Sequence, residues 1–410
     1  MAKPKIGIVP RTRFVEEVNF AFDNTHNNIR MSIQENGGTP RILLSQQNFG
    51  DYDPRHNQPI PPLTDDEKKK IEIEIRSCDG ICLTDITPVG EYEEFIVDCC
   101  KKYHVPIMGI NGFSLQSKDF STNEVAPVDS KIKGFIQKSS KRATAREAVL
   151  TETNPEYSKR DVPRIAIISK QLYLDEETVF NRVADGVRYA VVKSGAIARG
   201  IIPQTSKRIF NKSDEHDETI LTEEEKRQIE SELADCEAIV LPGGLASNAY
   251  EEYVIKYAYE NNIPLMGICA GMNNLVRALG GTTIRRQDLA KRHNDPQKQH
   301  AHGLKVVKPD SKFSSIVKKA ELQVNSIHSY FIDKVPYVLE VVALDDEGNI
   351  EVVEAKDRKF FIGTKYHPEL LVDCDIEQQK LFSELSSVAY QQLLHKKRNL
   401  ANQLGEQRTT

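Results

Sequence analysis

No apolar run in this 410-residue sequence approaches the length needed to span a bilayer, and its opening, Met1-Ala-Lys-Pro-Lys5, lacks the apolar core of a signal peptide. Neither membrane insertion nor secretion is expected. Basic charge is not in excess: 55 Lys and Arg against 60 Asp and Glu leave a formal net charge of −5. That balance gives no reason to expect nucleic acid as the main partner. Cysteines are few, seven in all, odd in number and without framework spacing; Cys99 and Cys100 are adjacent, and there is no Cys-x-x-Cys pair. A disulfide scaffold and a cysteine-built zinc site are therefore not expected, and a reducing compartment, by default the cytoplasm, is. What is present is 39% hydrophobic and 28% charged, a soluble globular composition in a chain long enough for two domains with real cores.

Chemistry concentrates around Pro264-Leu-Met-Gly-Ile-Cys-Ala-Gly271, where a short apolar run rises into Cys269 between two glycines and a helix-compatible stretch follows. Gly-x-Cys-x-Gly is the thiol form of a nucleophile elbow. The sharp strand-to-helix turn needs small neighbours on both sides, and the helix N-terminus favours a thiolate. Alone, the pattern also fits a cysteine buried in the core. The partner is about a hundred residues downstream, in Phe360-Phe-Ile-Gly-Thr-Lys-Tyr-His-Pro-Glu369. On an extended chain His367 and Glu369 project to the same side, so the carboxylate can hold the imidazole in the tautomer that a base requires.

Strand-like and helix-like stretches alternate along the chain. Residues 5–9, 41–44, 80–83 and 105–110 read as strands; residues 15–36, 64–75 and 91–103 read as helices, the second opened by a Thr64/Glu67 capping box. The alternation implies a parallel sheet with helices on both faces. The order recurs 158 residues later: without gaps from position 63 to 112, seventeen of fifty pairs are identical, and Pro106-Ile-Met-Gly-Ile110 faces Pro264-Leu-Met-Gly-Ile268. Internal duplication follows. Opposite Cys269 stands Asn111, opposite Gly271 stands Phe113, and Thr84-Asp-Ile86 replaces Pro242-Gly-Gly244. The first copy lacks His-Pro-Glu, so it reads as a non-catalytic half that braces the active one or holds a regulatory ligand. Residues 117–162, with a run of Lys and Arg, read as a solvated linker or arm, a phosphate-binding patch being the alternative. Residues 206–221 form a polar loop, 376–394 a closing helix, and 396–410 a frayed polar tail.

With these segments in order, the chain resembles class I glutamine amidotransferase-like domains, and among them the γ-glutamyl-γ-aminobutyrate hydrolase family. The resemblance rests on Leu241-Pro-Gly-Gly244, Gly267-Ile-Cys-Ala-Gly-Met272, Ala278-Leu-Gly-Gly-Thr282, Gln287-Asp-Leu289, Val324-Asn-Ser-Ile-His328, Asp346-Glu-Gly-Asn-Ile-Glu351 and Ile362-Gly-Thr-Lys-Tyr-His-Pro-Glu369. It implies an α/β fold of two flavodoxin-like, three-layer parallel-sheet units: a degenerate repeat over 1–116 and a catalytic domain over 163–395. It further implies a Cys269, His367, Glu369 triad, with oxyanion-hole amides from Gly243, Gly244 and Ala270. Asn273, Asn325, Ser326 and His328 become candidate substrate contacts, His328 having a structural role as its alternative. Arg285, Arg286 and Arg292 could meet a substrate carboxylate or simply be surface charge. His293, His300 and His302 lie in a polar loop, read as a flap in preference to a metal site. No metal or organic cofactor is expected. Ala270, Asn273 and Ser329 stand where relatives commonly have Arg, Gln and His, so substrate choice is less fixed than the triad.

The leading expectation is a cysteine-dependent hydrolase of γ-glutamyl amides acting through a thioester. A glutaminase half working with a partner subunit, and a regulatory binding protein with little turnover, are the alternatives. A small-molecule substrate is expected, with no membrane or nucleic-acid partner; a homo-oligomer or a protein partner is left open.

Overall fold

A computed structural model describes residues 3–15, 20–47, 61–84, 90–110, 125–150, 160–173, 179–203, 220–244 and 249–407. The alternating Ile and Val of the central strands send successive side chains to opposite faces, so each strand is buried on both sides. Ile165 and Ile167 enter one core while Ala166 and Ile168 enter another, all four fully buried. Thirteen of the described strands form one sheet. Its first half runs Ile107–Gly109, Gly80–Leu83, Lys5–Val9, Thr39–Ile42, all parallel. Its second half continues with parallel strands Ile197–Ile201, Arg164–Ile168, Ala238–Leu241, Leu265–Ile268 and Phe361–Thr364. Antiparallel strands Ile350–Glu354, Glu340–Asp345, His302–Val306 and Glu321–Val324 close that edge. No helix among the described residues is long and apolar enough to cross a membrane.

The sequence repeat is a structural repeat. Helices Asn27–Glu35, Asp65–Arg76 and Glu91–Lys102 have counterparts Asp185–Lys193, Glu223–Ala234 and Ala249–Glu260, each 158 residues on (185 − 27, 223 − 65, 249 − 91). Even the backbone exceptions coincide: His104 and Asn262 have φ of 53° and 51°, Gly37 and Gly195 of 86° and 92°. Both second helices open on a complete capping box, Thr64 with Glu67 and Thr222 with Glu225. The halves meet strand to strand, Gly200 opposite Ile42 in antiparallel sense. A Cβ on Gly200 would come within 2.7 Å of Ile42 Cβ, so this junction depends on glycine.

Three expectations change. Residues 15–36, read as one helix, instead supply strands Arg11–Val15 and Phe20–His26 before the helix Asn27–Glu35. The cause is tertiary: Phe20–His26 pairs with Val179–Ala184 of the second copy at the centre of a four-stranded sheet, and such pairing overrides local propensity. Within 117–162, expected to be solvated, Val125–Leu150 is a helix whose Ile132, Phe135, Ile136 and Ala143 are buried. Gly80 makes room for it, since a Cβ there would lie 2.6 Å from the Phe135 ring. The closing helix runs through Ile376–Gln407, further than expected, and Lys396 donates to the carbonyls of Ala234 and Cys236. Asn111, Phe113 and most of the loop 206–221 lie outside the described residues.

Candidate active site

Strand Leu265–Ile268 ends at Cys269, which has φ 52° and ψ −105°, and helix Ala270–Ala278 starts at the next residue. A non-glycine residue held at positive φ is strained, and here the strain turns the thiol out of the strand–helix corner. Both flanking glycines are obligatory. A Cβ on Gly267 would sit 2.8 Å from Gly271 O, and one on Gly271 only 2.1 Å from Leu241 O. Gly271→Ala is therefore expected to lower the folded yield and thermal midpoint sharply; a midpoint within about 2 °C of wild type would contradict this reading of the corner.

His367, the candidate base, follows the neighbouring strand, Phe361–Thr364, whose Thr364 O accepts the Cys269 N–H at 2.8 Å. The strand stops there, and Pro368–Leu370 forms a 3-10 turn instead of the extended segment expected. That turn still brings Glu369 Oε1 to 2.7 Å from His367 Nδ1. Asn325 clamps the backbone of the base: its Nδ2 donates to His367 O and its Oδ1 accepts the His367 N–H, both at 2.8 Å. His367 hydrogen-bonds the Cys269 thiol. Burial alone would push this thiol up, but the adjacent His367 holds it below its ordinary value. Burial likewise opposes charge on His367, yet Glu369 and Cys269 outweigh it, and the imidazole is pushed up to about 10. Opposite shifts in the two partners describe a thiolate–imidazolium pair.

Gly243 lies against both groups: a Cβ there would meet His367 Cε1 at 2.7 Å and Cys269 Cβ at 3.3 Å. Gly244 follows at φ 125°. Behind this loop Lys170 pairs with Glu251 at 2.5 Å, both buried. A cavity of about 180 Å³ opens over the thiol, lined by Gly244, Cys269, Ala270, Asn273, Arg277, Arg285, His328, Ser329 and Tyr330 among others.

Of the expected substrate contacts, Asn273 and His328 line this cavity, whereas Asn325 holds the base and Ser326 is turned to His293, donating to its carbonyl at 3.0 Å. Arg285 reaches the cavity; Arg286 is paired with Asp288 and Arg292 with Glu347. Two residues were not anticipated. Arg277 lines the cavity four positions after Asn273, a spacing that shares a helix face. Lys365 is fully buried, donates to Asn273 Oδ1 at 2.8 Å and has its pKa lowered by burial; its place two residues before His367 was the available signal.

Residues 220–369, the span holding thiol, base and carboxylate, match the family described as Peptidase C26. Over this span the chain is similar to class I glutamine amidotransferase-like domains. The domain is 30% identical over 135 residues to a Schizosaccharomyces pombe protein named as a glutamine amidotransferase, covering 32% of this chain and 52% of that one. It is 29% identical over 135 residues to the glutamine-hydrolyzing GMP synthase of Thermosipho africanus (32% and 24% covered) and 26% identical over 168 residues to the CTP synthase of Pyrococcus furiosus (33% and 31%). The chain thus spans about half the length of the first relative and a quarter to a third of the others. A solved glutamine amidotransferase of Thermotoga maritima aligns with TM-score 0.35 at 15% identity, over 60% of this chain and 98% of that one.

Proposed function

We propose that the chain is a cysteine-dependent hydrolase of γ-glutamyl amides. The observation that carries this reading is the strained Cys269 paired with a His367 whose other nitrogen is fixed by Glu369 at 2.7 Å. In the proposed reaction the Cys269 thiolate adds to the γ-carbonyl carbon, and the carbonyl electron pair moves to oxygen. The amides of Gly243, Gly244 and Ala270 are the donors for that oxyanion, each worth roughly 3 kcal/mol where such donors have been removed from other enzymes. Collapse breaks the C–N bond, and the amine leaves with the His367 proton. Water then adds to the thioester while His367 takes its proton, and Cys269 leaves as thiolate. Arg277 and Arg285, which stack against the Tyr330 ring at 5.8 and 5.9 Å, are suited to the substrate's α-carboxylate.

The test is release of glutamate and amine from a panel of γ-glutamyl amides and free glutamine. Release is expected from wild type and not from Cys269→Ala; full release by the alanine variant would refute the reading. The names of the GMP and CTP synthase relatives, each longer than the shared span, favour a second reading in which released ammonia passes to a partner. Strong preference for free glutamine, stimulated by an added protein, would select it.

A further inference from the structure

We propose that His293, His302, His328 and Glu351 bind one divalent transition-metal ion of the zinc class. One donor atom from each lies within 4.8 Å of all the others. Tetrahedral donors around zinc, with bonds of about 2.0–2.1 Å, stand roughly 3.3 Å apart; His328 Nε2 and Glu351 Oε1 are already 3.5 Å apart. The group joins four separate segments. His293 ends helix Gln287–His293, His302 begins strand His302–Val306, His328 follows strand Glu321–Val324, and Glu351 lies in strand Ile350–Glu354.

The polar bookkeeping points to a missing cation. His302 Nε2, His328 Nε2 and both Glu351 carboxylate oxygens are buried without a hydrogen-bond partner. Glu351 is 0% and His328 5% exposed, and native structures rarely leave such groups unsatisfied. The buried Lys365 ammonium is within electrostatic range of Glu351 but hydrogen-bonds Asn273 and neither Glu351 oxygen, so it leaves these lone pairs open.

The tautomers agree. Carbonyl oxygens can only accept, so His302 Nδ1 facing Gly303 O at 2.9 Å and His328 Nδ1 facing Tyr330 O at 3.2 Å must carry the protons. The Ser326 hydroxyl gives its proton to His293 O, so at 3.1 Å it accepts from His293 Nδ1. All three rings thereby present an Nε2 lone pair, each oriented by an outer partner as metal-binding imidazoles are. Asp345, 3.6 Å from His293 Nε2, adds negative charge beside the group. Three imidazoles and one carboxylate suit zinc better than calcium or magnesium, which favour oxygen. The ion's role is structural: it pins the turn whose Ile327 carbonyl stands 3.6 Å from Cys269 Sγ.

The test uses the full chain as Cys269→Ala, which removes the thiolate as a rival ligand and keeps the result independent of the proposed hydrolysis. After chelator treatment and dialysis, zinc chloride is titrated in, with bound metal measured by mass spectrometry and stability by thermal unfolding. About one zinc per chain and a raised midpoint are expected, both lost on adding either His302→Ala or Glu351→Gln. Less than about a fifth of an equivalent in protein with native circular dichroism would overturn the proposal. So would zinc uptake that neither substitution changes.

Discussion

His367→Ala is expected to slow alkylation of Cys269 by iodoacetamide at pH 7 by about a hundredfold, and turnover by about a thousandfold or more. The thiol is buried, and the imidazole, with a smaller contribution from the Lys365 ammonium, holds it below its ordinary value. Remove that ring, and desolvation meets only the weaker pull of Lys365, so the thiolate fraction at pH 7 falls. The pH profile gives the sign. In wild type the pair stays charged between a lowered thiol pKa and an imidazole pKa of about 10, so alkylation reaches a plateau at lower pH than in the variant, holds it to about pH 9, and declines in acid. In the variant it rises steadily through pH 9 without a plateau. Cys374, the exposed cysteine of the seven, must first be changed to Ser; the other five are buried. Identical profiles for the two proteins would remove the ion pair from the mechanism.

Those elements that could be read from the chain were locally encoded. The elbow declares itself because Gly267 and Gly271 answer steric demands within two residues of Cys269, and His367 with Glu369 because so short a span cannot separate them. The 158-residue repeat was legible for the same reason: capping boxes, turns and strands are each written in a few adjacent residues. What escaped depends on distant partners. Phe20–His26 is a strand because the second copy offers it Val179–Ala184. Asn325 braces His367 across 42 positions, a relation that its own neighbours do not announce. Val125–Leu150 looks like a linker by charge, yet Ile132, Phe135 and Ile136 are enough to bind it to the sheet. His293 and His302 of the polar loop come together only with His328 and with Glu351, about fifty residues further on.

The largest stability effect is expected at the junction of the two copies, where Glu74→Ala should cost about 3–5 kcal/mol in denaturant unfolding. Glu74 accepts from Arg164 at 2.6 Å and from Arg199 at 2.8 Å through both of its oxygens, and all three side chains are at most 3% exposed. Burial opposes the charge, but the two arginines outweigh it and bring the carboxyl down to about 2. Against an unfolded value near 4.3, that depression is worth roughly 3 kcal/mol. Because the folded pKa is the lower one, this stability is complete above about pH 4.3 and is lost as pH falls toward 2. In Glu74→Ala that acid-dependent share should be missing. The repeat supplies an internal control. Arg41 and Glu232 occupy the positions 158 residues from Arg199 and Glu74 and pair across the same junction at 2.5 Å, as residues do across an isologous two-fold interface. Yet Arg41 also reaches Asp235 at 2.8 Å, so Glu232→Ala leaves its arginine a close carboxylate, whereas Glu74→Ala takes a close carboxylate from both Arg164 and Arg199, the latter reaching Asp235 only at 3.7 Å. The first-copy substitution should therefore be the costlier by at least about 1 kcal/mol. Equal costs would mean that the remaining carboxylates, not the named pairs, neutralise the junction.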